Sequence, residues 1–84
     1  KARSAAGPVA RLRIGLGSHA GLRPADVVGA IANEAGLTAR QIGAIAITDQ
    51  STTVEVPASE ADAVVRALGR TTIRGRRATI ERVP

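Results

Sequence analysis

Apolar and polar residues alternate from Arg11 to Gly17, with Leu12, Ile14 and Leu16 on one parity and Arg11, Arg13 and Gly15 on the other. Successive side chains of a strand point to opposite faces, so this pattern predicts a half-buried strand with an aliphatic inner face and an arginine-bearing outer face. Alternation returns between Ile42 and Thr48, with Ile45 and Ile47 inward and Ala44 and Ala46 outward. It returns again from Ser51 to Val56, with Thr52, Val54 and Val56 inward and Ser51, Thr53 and Glu55 outward. Asp49-Gln50 between these two runs is brief and polar, as a hairpin loop should be, and Pro57 stops the later strand. Elsewhere the period changes to that of a helix. Val27, Ile31 and Ala35 form one stripe with Val28 and Ala32 beside it, and Ala61, Val64, Val65 and Leu68 fall at i, i+3, i+4 and i+7.

Punctuation residues sharpen these boundaries. Pro24 suits the first position of a helix, Asp26 complements the dipole in its first turn, and Gly36 ends it with Leu37 placed for the usual apolar contact. Gly29 inside that helix costs about 1 kcal/mol against Ala, a cost that close packing on the sheet would explain. Thr38 and Gln41 have the spacing of a capping box and predict a single short turn, and Ser59 with Asp62 reads as a second such pair opening the later helix, which Gly69 closes. Gly15, Gly17 and Gly21 bracket Ser18-His19-Ala20 with one residue too many for a dinucleotide fingerprint, so they predict a tight strand-to-helix turn. At the end of the chain, Thr71 to Ile73 is a short extended piece, Arg74-Gly75 a turn, and Arg76 to Val83 a strand with Ala78 and Ile80 inward, its alternation lapsing at Arg82.

The order is strand–helix–strand twice over. Right-handed crossovers then place the third strand between the first and second, and the last strand beside the first. The predicted fold is α+β, a ferredoxin-like split βαβ (βαββαβ). It has a four-stranded antiparallel sheet in order 4-1-3-2, two helices on one face, and an extra short strand before the last. Residues 1–8 are small and polar and read as the end of a linker behind a larger protein, leaving 9–84 as the domain. The face of the sheet opposite the helices is open, and the central strands present Arg11, Arg13, Gly15, Ser51, Thr53 and Glu55 there.

Charge narrows the partners. Lys and Arg number 12 against 7 Asp and Glu, a net charge of +5 on 84 residues, and every basic residue but Lys1 is Arg. Such a balance favours polyanions, and the planar guanidinium fork favours phosphate. An Ala-, Gly- and Arg-rich composition is also what a high-GC genome produces. There is no Cys, hence no disulfide and no thiolate metal site, and a cytoplasmic setting is expected. No apolar run reaches 18 residues and no signal-peptide pattern opens the chain, so no membrane partner is expected. Phe, Tyr and Trp are absent, which removes aromatic base stacking from the available mechanisms.

The run from Val28 to Gly36 (VGAIANEAG), Ile42-Gly43-Ala44-Ile45 and Ser51 to Pro57 (STTVEVP) together resemble the C-terminal RNA-binding domain of bacterial DEAD-box RNA helicases of the DeaD/CsdA and DbpA kind. The glycine turn from Gly15 to Leu22 and the closing Thr72-Ile73-Arg74-Gly75-Arg76 fit as well, so the resemblance covers Val9 to Val83. It implies an RNA-recognition-motif-like module that holds structured RNA, often ribosomal, beside a helicase core in the same polypeptide. By the same resemblance ATP and magnesium belong to that core, and this domain needs no cofactor. RNA-recognition motifs carry base-stacking aromatics on the two central strands, at positions occupied here by Arg13, Ser51 and Thr53.

The expected contacts are therefore arginine to phosphate. The candidates are Arg11 and Arg13 with Ser51 and Thr53 on the open face, Arg74, Arg76 and Arg77 around the closing turn, and Arg82, with His19 and Arg23 secondary. Antiparallel pairing in register sets Arg11 beside Glu55 and Arg13 beside Thr53, which predicts that Arg11 is neutralised and Arg13 free for RNA. Two other functions use this order of elements. A regulatory domain of the ACT type would hold an amino acid at the glycine turn. An acylphosphatase-like hydrolase would need an arginine in that turn and a nearby amide, whereas Arg23 lies outside it and Asn33 on a helix. One His, no Cys and no convergent carboxylate pair predict that this chain is not an enzyme by itself.

Overall fold

A computed structural model describes residues 8–83. Strands β1 (Val9–Ile14), β2 (Ile45–Ile47), β3 (Thr52–Pro57) and β4 (Ile80–Val83) form one sheet in the order β2-β3-β1-β4, every neighbouring pair antiparallel. Helices α1 (Pro24–Ala35) and α2 (Ala61–Gly69) cover one face of it. This is the ferredoxin-like order predicted from the patterning. The linker assigned to residues 1–8 lies outside the described residues except for Pro8, whose carbonyl accepts a hydrogen bond from Ala58 N–H at 3.0 Å.

The core is the sum of the predicted parities. Leu12 and Ile14 of β1 and Val54 and Val56 of β3 meet Val27 and Ile31 of α1 and Val64 and Leu68 of α2, all fully or almost fully buried. Burying each such side chain stabilises by about 1.5–3 kcal/mol. Thr52 shares that parity and is the one buried polar side chain among the described residues. Its hydroxyl donates to the Leu16 carbonyl at 2.8 Å, which removes the penalty of an unpaired buried group.

The helix and turn ends follow the expected chemistry with one exception. Asp26 Oδ2 accepts the Arg23 N–H at 2.9 Å, capping the start of α1 behind Pro24. Gly36 closes α1 at φ 76°, its N–H bonded to Ala32, and Leu37 is buried beyond it. Gln41 Oε1 accepts the Thr38 N–H at 2.9 Å around the short turn Ala39–Gln41. Ser59 and Asp62, however, do not cap α2. The chain leaves β3 through a 3-10 turn, Ala58–Glu60, that runs straight into the helix, so Ser59 already lies inside a helical turn. Asp62 is drawn instead to Arg82.

Three further expectations are modified. β2 is shorter than the alternation from Ile42 to Thr48, because Gly43 and Ala44 both stand opposite Glu55 (Gly43 N to Glu55 O 2.8 Å, Glu55 N to Ala44 O 3.1 Å). Two residues opposite one is the count of a bulge, and regular pairing resumes at Ile45. The closing hairpin is an isolated bridge, Ile73 to Arg76, around Arg74-Gly75, and the strand proper starts only at Ile80. Arg74 and Gly75 have φ 55° and 76°, the two positive values that a tight hairpin turn requires. Gly29 is not held by close packing: a Cβ built there meets nothing within 4 Å, and nothing in the structure explains the glycine.

Gly17 is the opposite case. A Cβ there would lie 2.2 Å from the Thr48 carbonyl oxygen and 2.6 Å from the Ser51 nitrogen, both backbone atoms that cannot turn aside. Gly17→Ala should therefore destabilise the domain by about 1–3 kcal/mol, as overpacking does. Gly29→Ala should stabilise it by about 0.5–1 kcal/mol. Urea denaturation midpoints measure both, and a Gly17→Ala variant as stable as the parent would contradict the close approach.

Candidate nucleic-acid interface

The open face is built by the outward parity of three strands. The register sets Arg11 opposite Glu55 and Arg13 opposite Thr53, as expected. Arg11 Nη2 lies 3.5 Å from Glu55 Oε2. Arg13 is not free, contrary to expectation. β4 lies on the other side of β1 and sets Glu81 opposite Arg13. The Arg13 guanidinium donates twice to Glu81 Oε2, from Nε at 3.0 Å and from Nη2 at 2.6 Å, a tighter pair than that of Arg11. In the alternation that turns Ala78 and Ile80 inward, Glu81 is the next outward position, and its charge is the signal for this pair. Two cations and two carboxylates thus cancel on this face. Thr53 lies half-buried between Arg13 and Ala46, and Ser51 is held by the β2–β3 turn, its Oγ 3.0 Å from Thr48 Oγ1.

Arg82 is not on the open face. It stands opposite Leu12, an inward residue, so it projects to the helix side, where Nη1 meets Asp62 Oδ1 at 3.1 Å. The remaining candidates gather at one end of the sheet. There the β1–α1 loop is zipped to the β2–β3 loop by Ser18 N–H to Thr48 O and His19 N–H to Asp49 O, both 2.9 Å. The closing hairpin lies against these loops. Gly15, Leu16, Gly17, His19, Asp49, Gln50 and Arg76 line a concave surface of about 380 Å³. Two backbone-bonded loops make its floor stiff, and His19 and Arg76 are its basic side chains.

The three arginines of the closing turn do not converge on one point. Arg74 reaches back over Gly21 to Asp26, Nε to Oδ2 3.8 Å. Arg77 donates from Nη2 to the Gly69 carbonyl at 3.3 Å, at the C-terminal end of α2. Arg76 alone faces the concave surface. Arg23 is exposed at the start of α1. Among the described residues, Arg23, Arg40, Arg66, Arg70, Arg76 and Arg77 have no carboxylate partner. Arg66 and Arg70 were absent from the sequence-derived candidates. Their signal was present, since Arg66 occupies a polar position one turn after Asp62 on α2 and Arg70 directly follows the closing Gly69.

A family model described as the DbpA RNA-binding domain matches residues 11–82. The chain belongs to that family. The matched span runs from Arg11 to Arg82 and so takes in both central strands, both helices and the closing hairpin. No curated protein matches the chain. The DbpA RNA-binding domain is a non-catalytic module of helicase-type proteins. Among the described residues no group of three or more His, Cys, Asp or Glu side chains is arranged to hold a metal ion, and no helix is long and apolar enough to cross a membrane.

The paired open face gives a direct test. Arg13→Gln and Glu81→Gln should each cost about 0.2–1 kcal/mol of stability, and the double variant should cost less than their sum. Denaturation of the four-member cycle measures the coupling, and strict additivity would mean that the pair does not form in solution.

Proposed function

We propose that this DbpA-type domain is the RNA-binding module of a DEAD-box helicase of the DeaD/CsdA kind. It anchors structured RNA, ribosomal RNA included, while an ATP- and magnesium-dependent core in the same cytoplasmic polypeptide unwinds duplex nearby. Contact runs through arginine and backbone groups at the loop end of the sheet. One observation carries this reading: the sheet positions that would stack bases hold no ring, and the two arginines there are neutralised by Glu55 and Glu81. Arg76 stands by contrast on a stiff concave surface with no carboxylate partner. Arg74 adds support. A non-glycine residue at φ 55° is held at a cost of about 1–3 kcal/mol, where Asn or Gly would be relaxed, and strain of this kind concentrates at working surfaces.

The test is a titration with a single-stranded and a hairpin RNA across salt concentrations. With about four arginines on phosphates, log affinity should fall against log salt with a slope of roughly −3. Replacing Arg74, Arg76 and Arg77 by Gln should weaken binding more than replacing Arg11 and Arg13 together. The reverse ranking would place RNA on the open face, and a salt-independent affinity would remove the electrostatic mechanism.

A further inference from the structure

The positive charge that the open face lacks stands elsewhere. Residues 8–83 contain ten arginines and seven carboxylates, an excess of three. Three of the six arginines without a carboxylate partner among the described residues, Arg66, Arg70 and Arg77, lie on α2 or reach its C-terminal end, and Arg82 meets Asp62 at its first turn. These four arginines lie on one side of the molecule. Arg82 belongs to β4, the edge strand, and projects to the helix side, where it meets Asp62. Arg66 lies one turn after Asp62 on α2, and Arg70 is the residue that caps the end of the helix, so the two continue from Asp62 toward its C-terminal end. Both are exposed. Arg77 closes the row through its bond to the Gly69 carbonyl. With a nine-residue helix as its spine the row is about 13 Å long.

The row also has a chemical bias. It offers guanidinium forks, which bond phosphate oxygens bidentately. It offers no aromatic ring for stacking, and the base edges in the deep, narrow major groove of an A-form helix lie beyond the reach of its side chains. A ligand that shows phosphates outward and keeps its bases paired inward fits those groups, and an A-form helix is such a ligand. We propose that the α2–β4 edge docks the sugar–phosphate backbone of double-helical RNA without regard to sequence. This rests on the RNA-binding reading above and adds a second surface to it. Arg76 and Arg77 join the two, since neighbouring residues serve the concave loop end and the helix side respectively.

The experiment compares the 84-residue chain with its Arg66→Gln/Arg70→Gln variant, both positions being exposed and outside the core. Each is titrated with a blunt RNA duplex of arbitrary sequence and with a single strand of equal length, over a salt series, after a thermal melt establishes folding. The variant should lose duplex affinity on the order of tenfold at low salt, with its salt slope flattened by about 1.5. Single-strand affinity should change less. Backbone amides of Arg66 to Arg70 should shift when duplex is added to the parent chain. Unchanged duplex affinity and slope in a folded variant, with the parent still binding RNA, overturns this inference and leaves the RNA-binding reading intact. A parent that binds no RNA overturns both. Amides that ignore duplex but move with polyglutamate assign the row to an acidic protein, which also overturns it.

Discussion

Strand β1 is the constraint on which the other features depend, because it is paired on both edges and buried on one face. Leu12 and Ile14 are fully buried, and slipping the strand by one residue would exchange them for arginines. That penalty excludes every one-residue slip against β3 and β4 together, and the pairing adopted sets the register. That register then decides electrostatics as well as packing. Once Leu12 faces Val54 and Arg82 across its two edges, Arg11 must meet Glu55 and Arg13 must meet Glu81. Each surface pair contributes little stability by itself. Its effect is to occupy both guanidinium groups at the centre of the open face.

A neutral, ring-free sheet face leaves this member of the DbpA RNA-binding domain family without the stacking platform of an RNA-recognition motif. Cations displaced from the sheet stand at its loop end and along α2, places where backbone groups and helix geometry rather than strand pleating set their spacing. The loop end is stiffened by hydrogen bonds between two connections that are far apart in sequence, and Gly17 is the residue that allows them to touch. The closing hairpin uses two positive-φ residues to turn within two positions, so Arg74 and Arg76 leave it in different directions. A run of arginines that looks like one cluster along the chain is divided in space among Asp26, the concave surface and the end of α2.

Much of this was legible in the residues themselves. Period-two and period-3.6 patterning placed four strands and two helices, and with the handedness of crossovers it ordered the sheet. Capping at Asp26, Gly36 and Thr38–Gln41 and the turn at Arg74-Gly75 are local chemistry, complete within a few residues, and were readable for that reason. Because one face of each strand had to be apolar, the patterning left registers of β1 against β3 two residues apart equivalent, and the one with Arg11 beside Glu55 is the one the fold adopts. Where local signals competed with a distant partner they misled. Ser59–Asp62 has the spacing of a cap but Asp62 is claimed by Arg82, twenty residues on.

The sequence by itself determined the fold class, the inward and outward parities, the arginine excess and the absence of aromatic rings, because these follow from periodicity and composition. Only the tertiary structure decided which arginines are free. Ion pairing depends on distances of a few ångströms between residues such as Arg13 and Glu81, which are 68 positions apart and meet only because β4 returns to the far edge of β1. The same holds for the row along α2, since Arg82 joins Arg66 and Arg70 only after the last strand has paired with β1 and turned Arg82 to the helix side. Patterning reports which face a side chain takes. Folding alone reports what stands opposite it.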